Sequence, residues 1–170
     1  MEEGEYVLHI QEVDMEDFVR TLQAKANLKA IDKGLNINIE FHGSEKRLFT
    51  DGMKLEQILL NLLENAINYT DEGTVGLTVR MKDQHVEFIV EDTGPGIPER
   101  DQPLVFERFY RVDKSRSRET GGTGLGLAIA AELTKQISGT IRMVSEEDLG
   151  VRFIVVIPYD QTSGSNDTIM

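Results

Sequence analysis

Apolar residues recur along this chain at two different spacings, and the alternation between them outlines a mixed fold. From Met15 to Lys33, Phe18, Leu22, Ala26 and Ala30 stand four apart among polar residues, the spacing of one face of a helix. Gly34 follows as a candidate C-cap. Leu35 to Phe41 then alternates apolar with polar, as a strand with one buried face does. A short strand is expected earlier, in the opening Glu5 to Asp14, which contains the apolar run Tyr6–Ile10, and another at Arg47 to Thr50. Asp51 stands where an N-cap belongs, ahead of a helix running to about Tyr69. Val75–Met81 and Val86–Val90 predict a hairpin turning at Lys82–His85. Leu125–Ile137 predicts a last helix, and Thr140–Val144 and Val151–Ile157 closing strands. The charged stretch Val112–Gly122 is expected to be a mobile loop, and 161–170 a disordered tail after a single domain spanning 1–160.

Composition narrows the function. With 170 residues, 39% of them apolar, the chain can fill one core. It has no cysteine, which removes disulfides, thiolate metal sites and thiol nucleophiles. Thirty acids against 18 bases give a net charge of −12, a field that repels polyanions and argues against nucleic acid as a partner. No run is apolar and long enough for a membrane span.

Four segments carry candidate chemistry. On the helix 55–69, Lys54, Gln57, Asn61, Glu64, Asn65 and Asn68 fall on one polar stripe at roughly 100° per residue. Three asparagines there are a poor choice for a merely solvated face, because asparagine forms helix less readily than Lys, Glu or Gln. Their amides can ligate a hard cation or meet phosphate oxygens. Next, Glu91-Asp92-Thr93-Gly94-Pro95-Gly96-Ile97-Pro98 follows a strand directly. Its glycines allow close approach to a ligand, and Asp92 can accept from an exocyclic amine; an ordinary turn would read the same way.

The third segment, Gly121-Gly122-Thr123-Gly124-Leu125-Gly126-Leu127, leads into a helix. No strand precedes it, so it is not a dinucleotide fingerprint, and it lacks the Gly-Lys-Ser/Thr ending of a P-loop. A glycine-rich phosphate loop or a flexible tether remains. The fourth runs from Val105 to Asp113 and ends in Tyr110 and Arg111, followed by Lys114, Arg116 and Arg118. In an acidic protein that local positive charge suits a triphosphate.

In order and spacing these segments resemble the asparagine, first glycine, phenylalanine and second glycine boxes of bacterial sensor histidine kinases, across roughly Val13–Tyr159. The resemblance implies an α/β (α+β) sandwich shared with gyrase-, Hsp90- and MutL-type ATPases. Its sheet is mixed and mainly antiparallel, with about five strands plus short extra ones. About three helices cover one face, and a mobile lid closes over ATP. It implies Asn65 as the Mg²⁺ ligand, with Asn61 supporting the metal–phosphate end. Asp92 would read adenine, Gly94, Gly96 and Ile97 would shape the loop beneath the base, and Tyr69 would flank base and ribose. Tyr110 and Arg111 would serve the lid and phosphates, and Gly122, Thr123, Gly124, Leu125 and Gly126 its closure.

The family often has lysine where this chain has Asn68, a position tied to phosphate contact; Lys54, on the same stripe, and the lid arginines are expected to compensate. Asn61 occupies the position where hydrolysing relatives carry a glutamate base, and an amide cannot act as one. That favours transfer of phosphate over hydrolysis. None of His9, His42 and His85 lies in a phosphoacceptor context. The resemblance therefore implies a cytoplasmic catalytic domain of a membrane-anchored parent. Its partners would be a histidine-bearing dimerisation domain absent from this chain and a response-regulator receiver domain. An anti-sigma-type serine kinase and a degenerate nucleotide-sensing module are the alternatives.

Overall fold

The computed structural model describes residues 6–110, 125–146 and 149–158. Among them a five-stranded sheet runs in the order β2–β4–β5–β7–β6, built from β2 (Asn36–His42), β4 (Thr74–Met81), β5 (His85–Asp92), β7 (Gly150–Pro158) and β6 (Thr140–Glu146). Only β2 and β4 pair in parallel; every other pair in this sheet is antiparallel. A separate two-stranded ladder joins β1 (Gln11–Asp14) to β3 (Arg47–Thr50). The arrangement is the mixed α/β sandwich that the box pattern implied.

Three helices cover the sheet among the described residues: α1 (Met15–Ala30), α2 (Gly52–Asn68) and α3 (Gly126–Gln136). Helix α1 packs on β2, α2 on β4 and β5, and α3 on β6, while α2 also touches both other helices. Each helix buries the stripe its sequence marks out. Leu22, Ala26 and Ala30 of α1 are fully buried, as are Leu55, Ile58, Leu59, Leu62 and Leu63 of α2. Val75, Leu77 and Val79 of β4 meet them from the sheet, with Val86, Phe88 and Val90 of β5. None of these helices is long and apolar enough to cross a membrane.

The helix ends follow local chemistry. Asp14 caps α1 by accepting from the Glu16 and Asp17 N–H groups. Gly34, at φ +69°, closes the 3₁₀ turn after α1 in the left-handed region where glycine carries no Cβ penalty. Asp51 caps α2 through Oδ1, 3.2 Å from the Lys54 nitrogen, while its Oδ2 takes the His9 N–H at 3.0 Å.

One expected element is shorter than its sequence suggests. Of the strand expected in Glu5–Asp14, only Gln11–Asp14 forms, paired from Gln11 opposite Thr50 to Asp14 opposite Arg47; Tyr6 to Ile10 lies outside it. A strand needs a partner backbone, and the four residues of β3 are already matched to 11–14. The apolar run 6–10 instead crosses toward α2, with Lys54 over the Tyr6 ring. The expected mobile loop 112–122 lies outside the described residues, as does the expected tail 161–170.

Candidate functional site

The site is built where two elements end side by side: the last turn of α2 and the last residue of β5. The polar stripe of α2 is half buried at Lys54, Asn61, Glu64, Asn65 and Asn68, while Leu55, Ile58, Leu59, Leu62, Leu63, Ala66 and Ile67 are packed into the core. Its members serve three neighbours. Lys54 donates to Gln136 Oε1 of α3 at 2.8 Å. Asn61 accepts from Gln57 at 2.8 Å and donates to the Gly126 carbonyl at 3.2 Å, which ties α2 to the start of α3. Glu64 turns the other way, 3.7 Å from Lys29 of α1.

That division corrects one expectation. Lys54 cannot stand in for a lysine at Asn68, because the two sit at opposite ends of α2, about 21 Å apart along its axis. The ammonium beside Asn68 belongs to Lys33, 3.1 Å from the Asn68 carbonyl and 2.8 Å from that of Ile67. There it adds a charged donor to the carbonyls at the negative end of the helix.

Asp92 closes β5 and is 8% exposed. Its Oδ1 accepts the Gly94 N–H at 2.9 Å, and the backbone N–H of Val151 bonds the same carboxyl. Burial pushes the Asp92 carboxyl above the ordinary carboxylate value; these two N–H groups oppose the rise, and the nearby Glu91 charge adds to it. The result is a buried acceptor held in one orientation by two elements.

The loop after Asp92 lies directly on the end of α2. A Cβ on Gly94 would stand 2.7 Å from the Tyr69 carbonyl oxygen, 3.1 Å from Asp92 Oδ1 and 3.3 Å from Thr70 Oγ1, so only glycine fits. Gly96 has φ +80°. Ile97 is buried and donates to Ser145 Oγ at 2.8 Å, and Ser145 passes its own proton to the Gly150 carbonyl at 3.1 Å. Gln102 bonds the Ile97 carbonyl at 2.9 Å and the Ser145 carbonyl at 3.3 Å. The β6–β7 hairpin therefore anchors this loop from below.

Further along, Phe106 packs edge-on against Phe153 of β7 with ring centroids 6.0 Å apart. Phe109 is 68% exposed at φ +66°. The Tyr110 hydroxyl donates to Asp101, and that bond holds the phenol above its ordinary pKa. Leu125 is the residue before α3, and Gly126 opens the helix with no atom of the described residues within 4 Å of its missing Cβ. Arg111, Gly122, Thr123 and Gly124 lie outside the described residues.

Residues that shape the site without a sequence signal are Thr70, Gln102, Ser145 and Gly150. Each reads locally as an ordinary turn or strand position. What distinguishes them is a contact with a segment remote in the chain.

Residues 50–161, most of the chain and all of this site, match the model of the histidine kinase-, DNA gyrase B- and HSP90-like ATPases. The chain belongs to that family. Within it, this ATPase-type domain is similar to the aerobic respiration control sensor protein ArcB of Escherichia coli (strain K12), at 36% identity over 160 residues, covering 92% of this chain and 21% of that protein. It is similar to the sensor-like histidine kinase SenX3 of Mycolicibacterium smegmatis at 38% identity over 147 residues, 86% of this chain and 38% of that one. The chain thus spans about a fifth to two fifths of these relatives' lengths.

Among solved structures, full-length ShkA in complex with AMPPNP superposes with a TM-score of 0.80 at 31% identity, covering 92% of this chain and 32% of that one. The nucleotide-free catalytic domain of the histidine kinase ThkA gives 0.75 at 25% identity, covering 91% and 98%. The second match shows that this family domain corresponds to a histidine kinase catalytic domain almost end to end. Relatives named as sensor kinases leave the serine-kinase alternative without support.

Proposed function

We propose that this domain binds Mg²⁺–ATP and donates the γ-phosphate to a histidine on a dimerisation domain of its parent, from which a response-regulator receiver domain takes it. The observation that carries the reading is Asp92: a buried carboxylate, oriented by the Gly94 and Val151 N–H groups, beside the α2 turn that bears Asn65. Such a group can accept from an exocyclic amine, and the glycine loop packs close beside it.

The residues present fit the metal as well. Mg²⁺ keeps several waters and needs only one or two protein oxygens beside substrate phosphates. The Asn65 amide offers one, and among the described residues no cluster of three or more acids or histidines competes for the ion. When bound, the ion would offset charge between phosphate oxygens. The chain's own residues bind and orient. Asp92 fixes the base, Asn65 and Asn68 line the far end of the same helix turn, and Arg111 with the glycines 122, 124 and 126 would meet the phosphates. Asn61 supports transfer over hydrolysis, since its amide is no base and is bonded to Gln57 and Gly126.

Calorimetric titration with AMPPNP, with and without Mg²⁺, tests the binding. Mg²⁺-dependent association that disappears in Asp92→Ala is expected; equal binding by that variant would overturn the assignment. Transfer is tested by adding the parent's histidine-bearing domain with γ-labelled ATP. Acid-labile phosphate should appear on that domain and not on this chain alone.

A further inference from the structure

Helix α3 begins without the usual side-chain cap. Leu125 at its N-cap carries no acceptor for the first N–H groups, and Gly126 has no side chain to anchor the first turn. Asn61 reaches that turn from α2, its Nδ2 donating to the Gly126 carbonyl at 3.2 Å. One turn earlier on α2, Gln57 Nε2 donates to Asn61 Oδ1 at 2.8 Å. The carbonyl sets the direction of this chain of bonds. A carbonyl oxygen only accepts, so Asn61 must turn its NH2 toward Gly126 and its oxygen away, where Gln57 meets it with a donor. Asn61 Oδ1 is thus engaged within the protein, while Asn65 stands one turn later, about 6 Å further along the axis.

We propose that Gln57 is a positioning residue for the phosphate end of the site, acting through Asn61. The assignment rests on the nucleotide reading above, in which the start of α3 meets phosphates beside the turn that bears Asn65. Gln57 and Asn61 stand four apart on one helix face, the spacing at which side-chain amides pair. An asparagine with nothing behind it can present either its NH2 or its oxygen to Gly126, and the second choice sets two acceptors face to face. Gln57 removes that choice, and the start of α3 is held at a fixed distance from Asn65. The other end of α3 has its own tie, from Lys54 to Gln136 Oε1 at 2.8 Å. Lys54 lies roughly 16 Å along the α2 axis from Asn65. That second tie holds the same helix far from the phosphate end, which makes it the natural comparison.

The test uses the full chain with Gln57→Glu, Asn61→Ala, the double variant and Lys54→Met. Calorimetry measures affinity for Mg²⁺–ADP and for adenosine, and the ratio of the two isolates the phosphate end. A glutamate carboxylate cannot donate to Asn61 Oδ1; it draws the amide NH2 away from Gly126 instead. Gln57→Glu and Asn61→Ala should each lower the ADP-to-adenosine ratio about fivefold, with adenosine affinity within about twofold of wild type. The double variant should be no worse than Asn61→Ala, because Gln57 acts only through Asn61; a direct effect of the new charge on phosphate would add to the loss there. Lys54→Met should lower the unfolding temperature and leave the ratio at the wild-type value. An unchanged ratio in either single variant overturns the proposal, as does an equal loss of both ligands. Losses that multiply in the double variant overturn it too, and so does a ratio in Lys54→Met as low as in Asn61→Ala, since any loosening of α3 would then suffice. A wild-type chain that binds neither ligand overturns the nucleotide reading itself, a result separate from any difference between variants.

Discussion

Gly150 runs so close beneath Asp92 that a Cβ on it would lie 2.1 Å from the Asp92 carbonyl oxygen, and its φ of +98° is one that side chains rarely adopt. The strand carrying the Asp92 carboxylate and the start of β7 are in this sense one packed unit. Gly150→Ala should therefore destabilise the fold by about 3 kcal/mol, combining backbone strain with overpacking. Gly126→Ala should act oppositely, since among the described residues nothing lies within 4 Å of its missing Cβ; as a helical position it should gain about 0.5–1 kcal/mol. Urea unfolding of both variants measures this, and equal stabilities would refute the packing argument.

The titration of Asp92 gives a signed pH dependence. Its folded-state pKa is raised, chiefly by burial, so between the ordinary carboxylate value and the raised one the native state holds more protons than the unfolded state. Stability without nucleotide should fall as pH rises through that window. Nucleotide affinity should climb over the same window, because the anion accepts the amine bond more strongly. Subtracting the profiles of Asp92→Asn isolates the effect, and identical profiles for the two proteins would remove it.

Asn68→Lys places an ammonium near the end of α2 where Lys54 cannot reach. Affinity for the triphosphate relative to adenosine should rise about five- to tenfold at low salt and shrink as ionic strength increases. A gain that persists unchanged at high salt would mean the lysine acts through something other than phosphate charge.

Lys33 holds the last carbonyls of α2 from a neighbouring element, bonding Ile67 and Asn68. Lys33→Met should cost about 1 kcal/mol, through lost charge-assisted bonds at a helix C-terminus. The cost should appear in urea unfolding and be partly masked by salt. A variant as stable as wild type would reduce Lys33 to a solvated surface cation.

Much of this protein was legible before any coordinates. The α1 and α2 stripes, the Asp51 cap and the Gly34 terminus depend on residues within a turn or two of each other, so spacing reports them directly. The asparagines and the Asp92 loop stood out for a related reason: their residue types are costly or unusual where they occur, and function is the common excuse for local cost. The strand expected in Glu5–Asp14 formed only over Gln11–Asp14, because an apolar run reports a willingness to form a strand, whereas pairing depends on a free partner backbone.

What the sequence by itself determined, then, was the set of elements, their buried faces and the order of the boxes, all consequences of short-range geometry. Tertiary structure alone decided that β2 lies parallel to β4, that Gly150 and Ser145 support the loop of Asp92, and that Thr70 faces the same glycine as the carboxylate. It also sent Lys54 to α3 and brought Lys33 to the end of α2. Such contacts join segments far apart in the chain. They are set by how apolar faces pack into one core, and no local pattern encodes that outcome.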